Sequence, residues 1–107
     1  MTDRELLESA ALVAGINLTK KFLIADSVAK TKTGETWAPL IDDGDALRLA
    51  VRLGLRVECR LDGQAYVWRG DDLIWNEFAL HENVDWQRRA ATRRAIVRAA
   101  VEIGGAA

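Results

Sequence analysis

The clearest hairpin signal in the chain is LRVECRLDGQAYVWR, residues 55–69. Its first half alternates strictly between apolar and charged residues, which is the pattern of a half-buried β-strand. Asp62-Gly63 is a strong signal for a two-residue turn, and QAYVWR then returns as a second strand. An antiparallel hairpin of this kind points to a mixed α+β domain, in which helices pack on a sheet. The side expected to face the core carries Leu55, Val57, Cys59 and Leu61.

The helix that precedes this hairpin is predicted over residues 43–53. Its apolar residues cover more than half of the helical circumference, which is typical of a helix that is mostly buried. Only Asp45, Arg48 and Arg52 mark a narrow polar stripe. Gly54 follows the last apolar residue and is predicted to end the helix.

The first helix is predicted over residues 3–14. Thr2 and Glu5 have the spacing of a capping box, in which each side chain bonds the backbone N–H of the other residue. Gly15 is well placed to end the helix in the left-handed backbone conformation. The apolar residues of the segment fall on one side of the helix, so we expect that side to face the core.

The remaining segments complete the predicted α+β domain. Residues 16–37 predict another hairpin, and residues 73–80 an optional third strand beside the central hairpin. Residues 85–103 predict a long last helix, with Asp85 as its cap and Gly104 as its stop. The order αββαββ(β)α predicts a small antiparallel sheet of about four or five strands that is packed by helices.

Size and charge bound the class of protein. The chain has 107 residues, of which 50% are hydrophobic and 29% charged, and this predicts a single folded domain over residues 1–107. The formal net charge of -1 excludes a uniformly basic, histone-like binder but permits a local basic patch. A single cysteine excludes an internal disulfide and favours a reducing compartment. No apolar stretch approaches the ~20 residues that cross a bilayer, so we predict a cytoplasmic protein without a membrane partner.

Three aspartates near the start of the second helix, Asp42, Asp43 and Asp45, are the strongest candidates for a metal or acid–base site. They also stand where a helix begins. A carboxylate at the N-cap accepts unpaired backbone N–H groups, and one in the first turn faces the positive end of the helix dipole. The loop pattern of an EF-hand is absent. We interpret the cluster as a helix cap and an acidic patch.

A catalytic centre is not predicted. His81 is the only histidine and falls in a predicted loop, and Cys59 lies on the apolar face of a strand, where a cysteine is usually an inert small hydrophobe. These two residues are too few for a structural zinc site. Glycine-rich phosphate-binding loops are also missing. We therefore predict a non-enzymatic protein with no catalytic residue, no cofactor and no metal.

The last helix is rich in arginine. Arg88, Arg94 and Arg98 lie at the edge of its apolar arc or outside it, so they are candidate contacts for a partner protein or for phosphates. Arg89 and Arg93 fall inside the arc. We expect their stems to lie on the sheet and their guanidinium groups to pair with the acids that precede the helix. Those acids also weaken the field that a nucleic acid would meet.

Two of the four tryptophans, Trp68 and Trp75, flank the turn at residues 70–72 and are placed to pair across strands. Because tryptophan is enriched at binding hot spots, both are candidate interface aromatics wherever they are exposed. The exposed aromatic platforms that bind single-stranded nucleic acid are not evident in the sequence.

Two stretches carry a resemblance to a known family, WAPLIDDGDALRLAVRLG (37–54) and ATRRAIVRAAVEIG (91–104). Together with the LL-x-x-A start at Leu6, they resemble the phage ABA sandwich domain family, small phage and prophage proteins of unassigned function. The resemblance implies a sheet with helices on both faces, an α/β/α sandwich, and a phage or prophage origin. It implies no catalytic or binding residue.

The predicted function is that of a phage accessory protein, cytoplasmic in the host cell, which binds another protein such as a host defence or regulatory factor. The alternative is a nucleic-acid-binding module that uses the arginine-rich last helix, and it predicts that Arg88, Arg94 and Arg98 form one exposed basic stripe. A third hypothesis, an enzyme built on residues 42–45, predicts a pocket with a bound ion there. A homodimer is a further prediction about partners.

Overall fold

The computed structural model describes residues 1–81 and 83–105. The described residues form three helices and six strands, and the α+β class is confirmed. Their bounds are α1 (Asp3–Ala14), β1 (Leu18–Leu23), β2 (Val28–Thr31), β3 (Thr36–Trp37), α2 (Asp43–Leu53), β4 (Arg56–Cys59), β5 (Gln64–Arg69), β6 (Asp72–Phe78) and α3 (Asp85–Gly105).

The strands form two antiparallel sheets of three strands each, in the orders β1-β2-β3 and β4-β5-β6. This differs from the predicted single sheet of about four or five strands and from the predicted order of elements. The reason is that residues 18–37 form three strands, not two, and these strands pair with one another instead of joining the second sheet. Alternation in that part of the sequence is too poor to indicate the extra strand.

α1 begins and ends where the capping signals predict. The Thr2 hydroxyl accepts the Glu5 backbone N–H at 3.2 Å, and the Glu5 carboxylate accepts the Thr2 backbone N–H at 3.0 Å. The Thr2 backbone N–H above all, and the Thr2 hydroxyl after it, bond the Glu5 carboxyl and lower its pKa. Gly15 ends the helix with φ 72°, a backbone conformation that costs glycine little. The side with Leu6 and Leu7 is buried, as expected.

α2 is less buried than its composition indicates. Its N- and C-terminal limits agree with the prediction, and Ala46, Leu49 and Ala50 are buried. However, Leu47 is 63% exposed and Val51 is 72% exposed. α2 packs chiefly against one neighbour, α3, so only one flank of its wide apolar surface is covered. The expectation of a mostly buried helix is therefore wrong for the opposite flank.

The hairpin of β4 and β5 forms, but its turn is one residue longer than predicted. The Arg60 N–H donates to the Gln64 carbonyl at 2.9 Å, which leaves a loop of residues 61–63 with Gly63 at φ 86°. The Asp62 carboxylate accepts the Gln64 backbone N–H at 3.1 Å, and this bond is the first cause of a lowered pKa of Asp62. Leu61 consequently lies in the loop and is 86% exposed instead of facing the core.

A β-bulge in β6 separates the two tryptophans of this sheet. Trp75 lies opposite Val67, whereas Trp68 lies opposite Leu73, and the extra residue between these pairs is Ile74. Since Val67 is fully buried, Trp75 shares the face that packs on α3, which we call the inner face. Trp68 points to the outer face, so the predicted cross-strand pair of tryptophans does not form.

α3 is the element around which the others pack. It contacts the inner face of β4-β5-β6, and both α1 and α2 pack against it. The first sheet contacts α1, where the Arg4 guanidinium lies 4.4 Å from the centre of the Phe22 ring. Within the described residues the second sheet has a helix layer on its inner face alone. The sandwich with helices on both faces that the resemblance implies is therefore not the arrangement of this sheet.

The ends of α3 differ from the prediction. Asp85 is the first residue of the helix and not the cap before it, and the helix continues through Gly104 to Gly105. Gly104 packs so closely on α1 that an added Cβ would overlap Cγ2 of Val13, which explains a glycine inside a helix. Along the described part of the chain, no helix combines the length and the apolarity needed to cross a membrane.

Candidate functional site

A groove of about 490 Å³ lies along the N-terminal half of α3, where α2 and β4 meet it. We call it the arginine-rimmed groove. Its apolar lining comes from Ala46, Leu47, Val57 and Ile96. Its charged lining comes from Asp43, Arg60, Asp85, Arg88, Arg89 and Arg93.

The spacing of these residues along α2, α3 and β4 places their side chains on the faces that meet at the groove. On α3, Arg89, Arg93 and Ile96 are spaced by four and three residues, so they lie on one side of the helix. On β4, Val57 and Cys59 are two residues apart and therefore share the inner face. The exposed flank of α2 contributes Leu47, and this gives the groove an apolar wall.

Arg93 ties α2 to α3 at one end of the groove. Its side chain is 16% exposed, Nη1 lies 2.6 Å from Oδ1 of Asp43, and Nε donates to the Leu40 carbonyl at 3.0 Å. Arg89 shares Asp43 at 3.7 Å and pairs with Asp85 at 3.0 Å. Of the acids of residues 71–85 that were expected to pair with these arginines, Asp85 pairs with Arg89, and it does so from within α3. The acid that Arg93 finds lies instead on α2.

Asp42 and Asp45 have structural partners too. Asp42 is the N-cap of α2, and its Oδ2 accepts the Asp45 backbone N–H at 2.8 Å. Asp45 accepts the Ala38 N–H at 2.9 Å and pairs with Arg48 at 2.6 Å, which raises the pKa of Arg48. Within residues 1–81 and 83–105, no three His, Cys, Asp or Glu side chains are grouped as metal ligands would be.

The arginines named as candidate contacts lie against three different elements. Arg88 is half-buried and donates to the Arg60 carbonyl at 3.3 Å. Arg94 contacts Asp3 of α1 at 3.3 Å. Arg98 lies 5.3 Å from the ring centre of Trp75. The single exposed basic stripe expected of Arg88, Arg94 and Arg98 is therefore wrong, and of the three only Arg88 lines the groove.

Cys59 opens into the groove. It is exposed, and its Sγ lies 3.6 Å from the Thr92 hydroxyl, which itself donates to the Arg88 carbonyl at 2.9 Å. The expectation that Cys59 faces the core is wrong because β4 is an edge strand that α3 covers only in part. Since neither a histidine nor a carboxylate is bonded to Cys59 among the described residues, the groove offers binding groups but no paired nucleophile and base.

The outer face of the second sheet is a separate surface, of whose residues sequence reasoning named only Trp68 as a candidate interface aromatic. We call Arg56, Tyr66, Trp68 and Phe78 the outer aromatic face. The Arg56 guanidinium lies 4.8 Å from the Trp68 ring centre, and Phe78 is 68% exposed. The sequence signal for this face is the alternation in β5, where Tyr66 and Trp68 interleave with the buried Ala65 and Val67.

The other candidate interface aromatic, Trp75, lies on the inner face instead. It is half-buried, and its indole N–H donates to the Glu77 carboxylate at 2.6 Å.

The comparisons with known proteins add no relative to this description. No family model, no curated protein and no solved structure matches the chain. The likeness to the phage ABA sandwich domain family therefore stays a prediction that rests on residues 37–54 and 91–104.

Proposed function

We propose that the protein is a non-enzymatic binding module that takes a segment of a partner protein in the arginine-rimmed groove. The observation that carries the proposal is the combination, in one open groove, of an apolar lining with four arginines and two aspartates. An apolar side chain of the partner that packs against Leu47 and Val57 would be removed from water, which favours binding by roughly 25 cal/mol per Å² of apolar surface buried. A carboxylate on the same segment would gain charge-assisted hydrogen bonds from the rim.

Arg88 is the guanidinium best placed to take that carboxylate. Arg89 and Arg93 share Asp43 and Asp85, so most of their charge is already balanced. Within residues 1–81 and 83–105, Arg88 has no carboxylate at ion-pair distance, and its guanidinium bonds a backbone carbonyl. The groove therefore favours a partner segment that is acidic as well as apolar.

The edge of β4 favours an extended segment over a helix. β4 is the first strand of the sheet β4-β5-β6, and among the described residues it pairs on one side only, with β5. An edge strand presents unpaired backbone N–H and C=O groups, to which an extended peptide adds as a further strand. The groove borders this strand at Val57 and Cys59, so a peptide lying in it would reach both the backbone edge and the arginines.

The family resemblance extends the proposal from a binding mode to a biological setting. It supports a phage or prophage origin, a cytoplasmic location in the host cell, and a host defence or regulatory factor as the partner. These parts of the proposal rest on the sequence stretches 37–54 and 91–104 and are independent of the groove.

Cys59 supplies the experiment, because it is the only cysteine and it lines the groove. A thiol-reactive photocrosslinker attached there is expected to capture a protein from a lysate of the cells that encode the chain. Arg88→Glu is expected to reduce this capture strongly, because reversing the charge repels an acidic segment. Arg69→Glu is the matched control, since Arg69 is exposed on β5 and does not line the groove.

A chain with Cys59→Ser and Lys21→Cys carries the same crosslinker on the exposed side of β1. Equal capture from this position, or undiminished capture by the folded Arg88→Glu variant, would contradict the proposal. Capture of nuclease-sensitive material would replace it with a nucleic-acid function. A crosslink between two copies of the chain would replace it with a homodimer.

A further inference from the structure

The outer aromatic face carries a hydrogen-bond donor that the fold leaves unused. Nε1 of Trp68 is buried and has no partner among the described residues. Burying an unpaired N–H group costs free energy, so native structures leave few of them without an acceptor. The Arg56 guanidinium lies over the same ring, and Arg56 is exposed on the edge strand β4. A ligand that packs on this ring would compete with Arg56 for it.

The composition of the face indicates the kind of ligand. Tyr66 and Trp68 are neighbours on the same face of the central strand β5, and Phe78 extends the aromatic surface along β6. A polyproline II helix has no internal hydrogen bonds, so its carbonyl groups remain free to accept, and its proline rings pack well on aromatic side chains. Such segments are commonly recognised on aromatic-lined grooves.

The charges on and around the face favour this ligand over single-stranded nucleic acid. Arg56 shares the face with Glu58, and Arg60, which lies over Tyr66 at 5.5 Å, pairs with Asp62 at 3.5 Å. The positive and negative groups therefore balance. A phosphate backbone needs an excess of positive charge for affinity, whereas a neutral proline-rich chain needs none.

We propose that the outer aromatic face binds a proline-rich segment in the polyproline II conformation. Proline rings pack on Tyr66 and Trp68, and one backbone carbonyl of the segment accepts the Trp68 indole N–H. Tyr66 and Trp68 lie on the opposite face of the sheet from Val57, which lines the arginine-rimmed groove, and Arg60 stands between the two sites.

The test follows the indole N–H signals of the full chain, labelled with ¹⁵N, during titration with a decaproline peptide. The Trp68 signal, assigned as the one lost in Trp68→Phe, is expected to move progressively as a hydrogen bond forms. Trp68→Phe keeps an aromatic ring and removes the donor, so decaproline affinity is expected to fall about threefold to tenfold. Trp86→Phe is the matched control and should leave the affinity unchanged, because Trp86 is 62% exposed on α3.

Four results would overturn the proposal. The first is a Trp68 indole signal that does not shift at millimolar decaproline. The second is a glycine–serine decapeptide that shifts the signal as much as decaproline does. The third is a shift with oligo(dT) but not with decaproline, which would assign the face to nucleic acid. The fourth is a shift that follows protein concentration without peptide, which would assign it to a second copy of the chain.

Discussion

Arg93 links α2 to α3, and Arg93→Met tests how much that link stabilises the fold. Methionine retains an unbranched apolar stem that can lie along the helix as the arginine stem does. It removes both polar contacts, the bond from Nε to the Leu40 carbonyl at 3.0 Å and the pair with Asp43 at 2.6 Å. The substitution therefore isolates the guanidinium contribution from the packing contribution.

The two contacts differ in expected strength because their surroundings differ. Leu40 is buried, and a hydrogen bond from a charged donor contributes about 1.5–3 kcal/mol, so losing it should be costly. Asp43 is 54% exposed, and solvent screening limits such a pair to about 0.2–1 kcal/mol. We expect Arg93→Met to lower the free energy of unfolding by about 2–3 kcal/mol. Asp43→Ala, which keeps the bond to Leu40, should lower it by about 1 kcal/mol or less.

Urea denaturation followed by tryptophan fluorescence measures both values, and the double variant gives the coupling between Arg93 and Asp43. About 1 M salt should reduce the coupling and leave most of the Arg93→Met effect, because the bond to the Leu40 carbonyl is shielded from solvent. Equal losses of unfolding free energy in the two single variants would refute this reasoning. A loss in Arg93→Met that disappears in about 1 M salt would refute it as well.

Gly104→Ala is expected to lower stability by about 1–3 kcal/mol, because the added methyl overlaps Cγ2 of Val13. Thermal melts beside Gly105→Ala, whose methyl meets no atom of the described residues within 4 Å, separate this clash from helix propensity, and a stabilised Gly104→Ala variant would show the packing to be wrong. The lowered pKa of Asp62, due first to the Gln64 N–H, predicts stability that is present above the ordinary carboxyl pKa and is lost as the pH falls through the folded value. Asp62→Asn should therefore lose less stability than the parent below about pH 4, and identical acid unfolding curves for the two chains would exclude this contribution.

The features that sequence predicts correctly depend on residues close together in the chain. The capping box of Thr2 and Glu5, the left-handed stop at Gly15 and the start of α2 at Asp42 each involve contacts within a few positions. Such contacts need no information about the rest of the fold. The hairpin is predicted for the same reason, although the Asp62 carboxylate and the conformation of Gly63 lengthen its turn by one residue.

The features that sequence misses depend on which elements meet. Asp43 and Arg93 are 50 positions apart, and no local pattern shows that α2 and α3 pack together there. The exposure of Leu47 follows from how few neighbours α2 has, which an apolar periodicity does not reveal. The arginine-rimmed groove lies where three elements, α2, α3 and β4, come together. Its residues could be listed from the sequence, but no local pattern shows that they share one groove.

The position of α3 at the end of the element order affects how the chain folds during synthesis. α1, α2 and the inner face of the second sheet all pack on α3, which begins at Asp85. At about 5–20 residues per second, the ribosome needs roughly 4–16 s to extend the chain by the ~80 residues that separate α1 from α3. Isolated mixed domains fold far faster than this, often within milliseconds. Translation, not folding, therefore sets how long apolar side chains of α1 such as Leu6 remain uncovered, and during those seconds the nascent chain exposes apolar surface of the kind that chaperones bind.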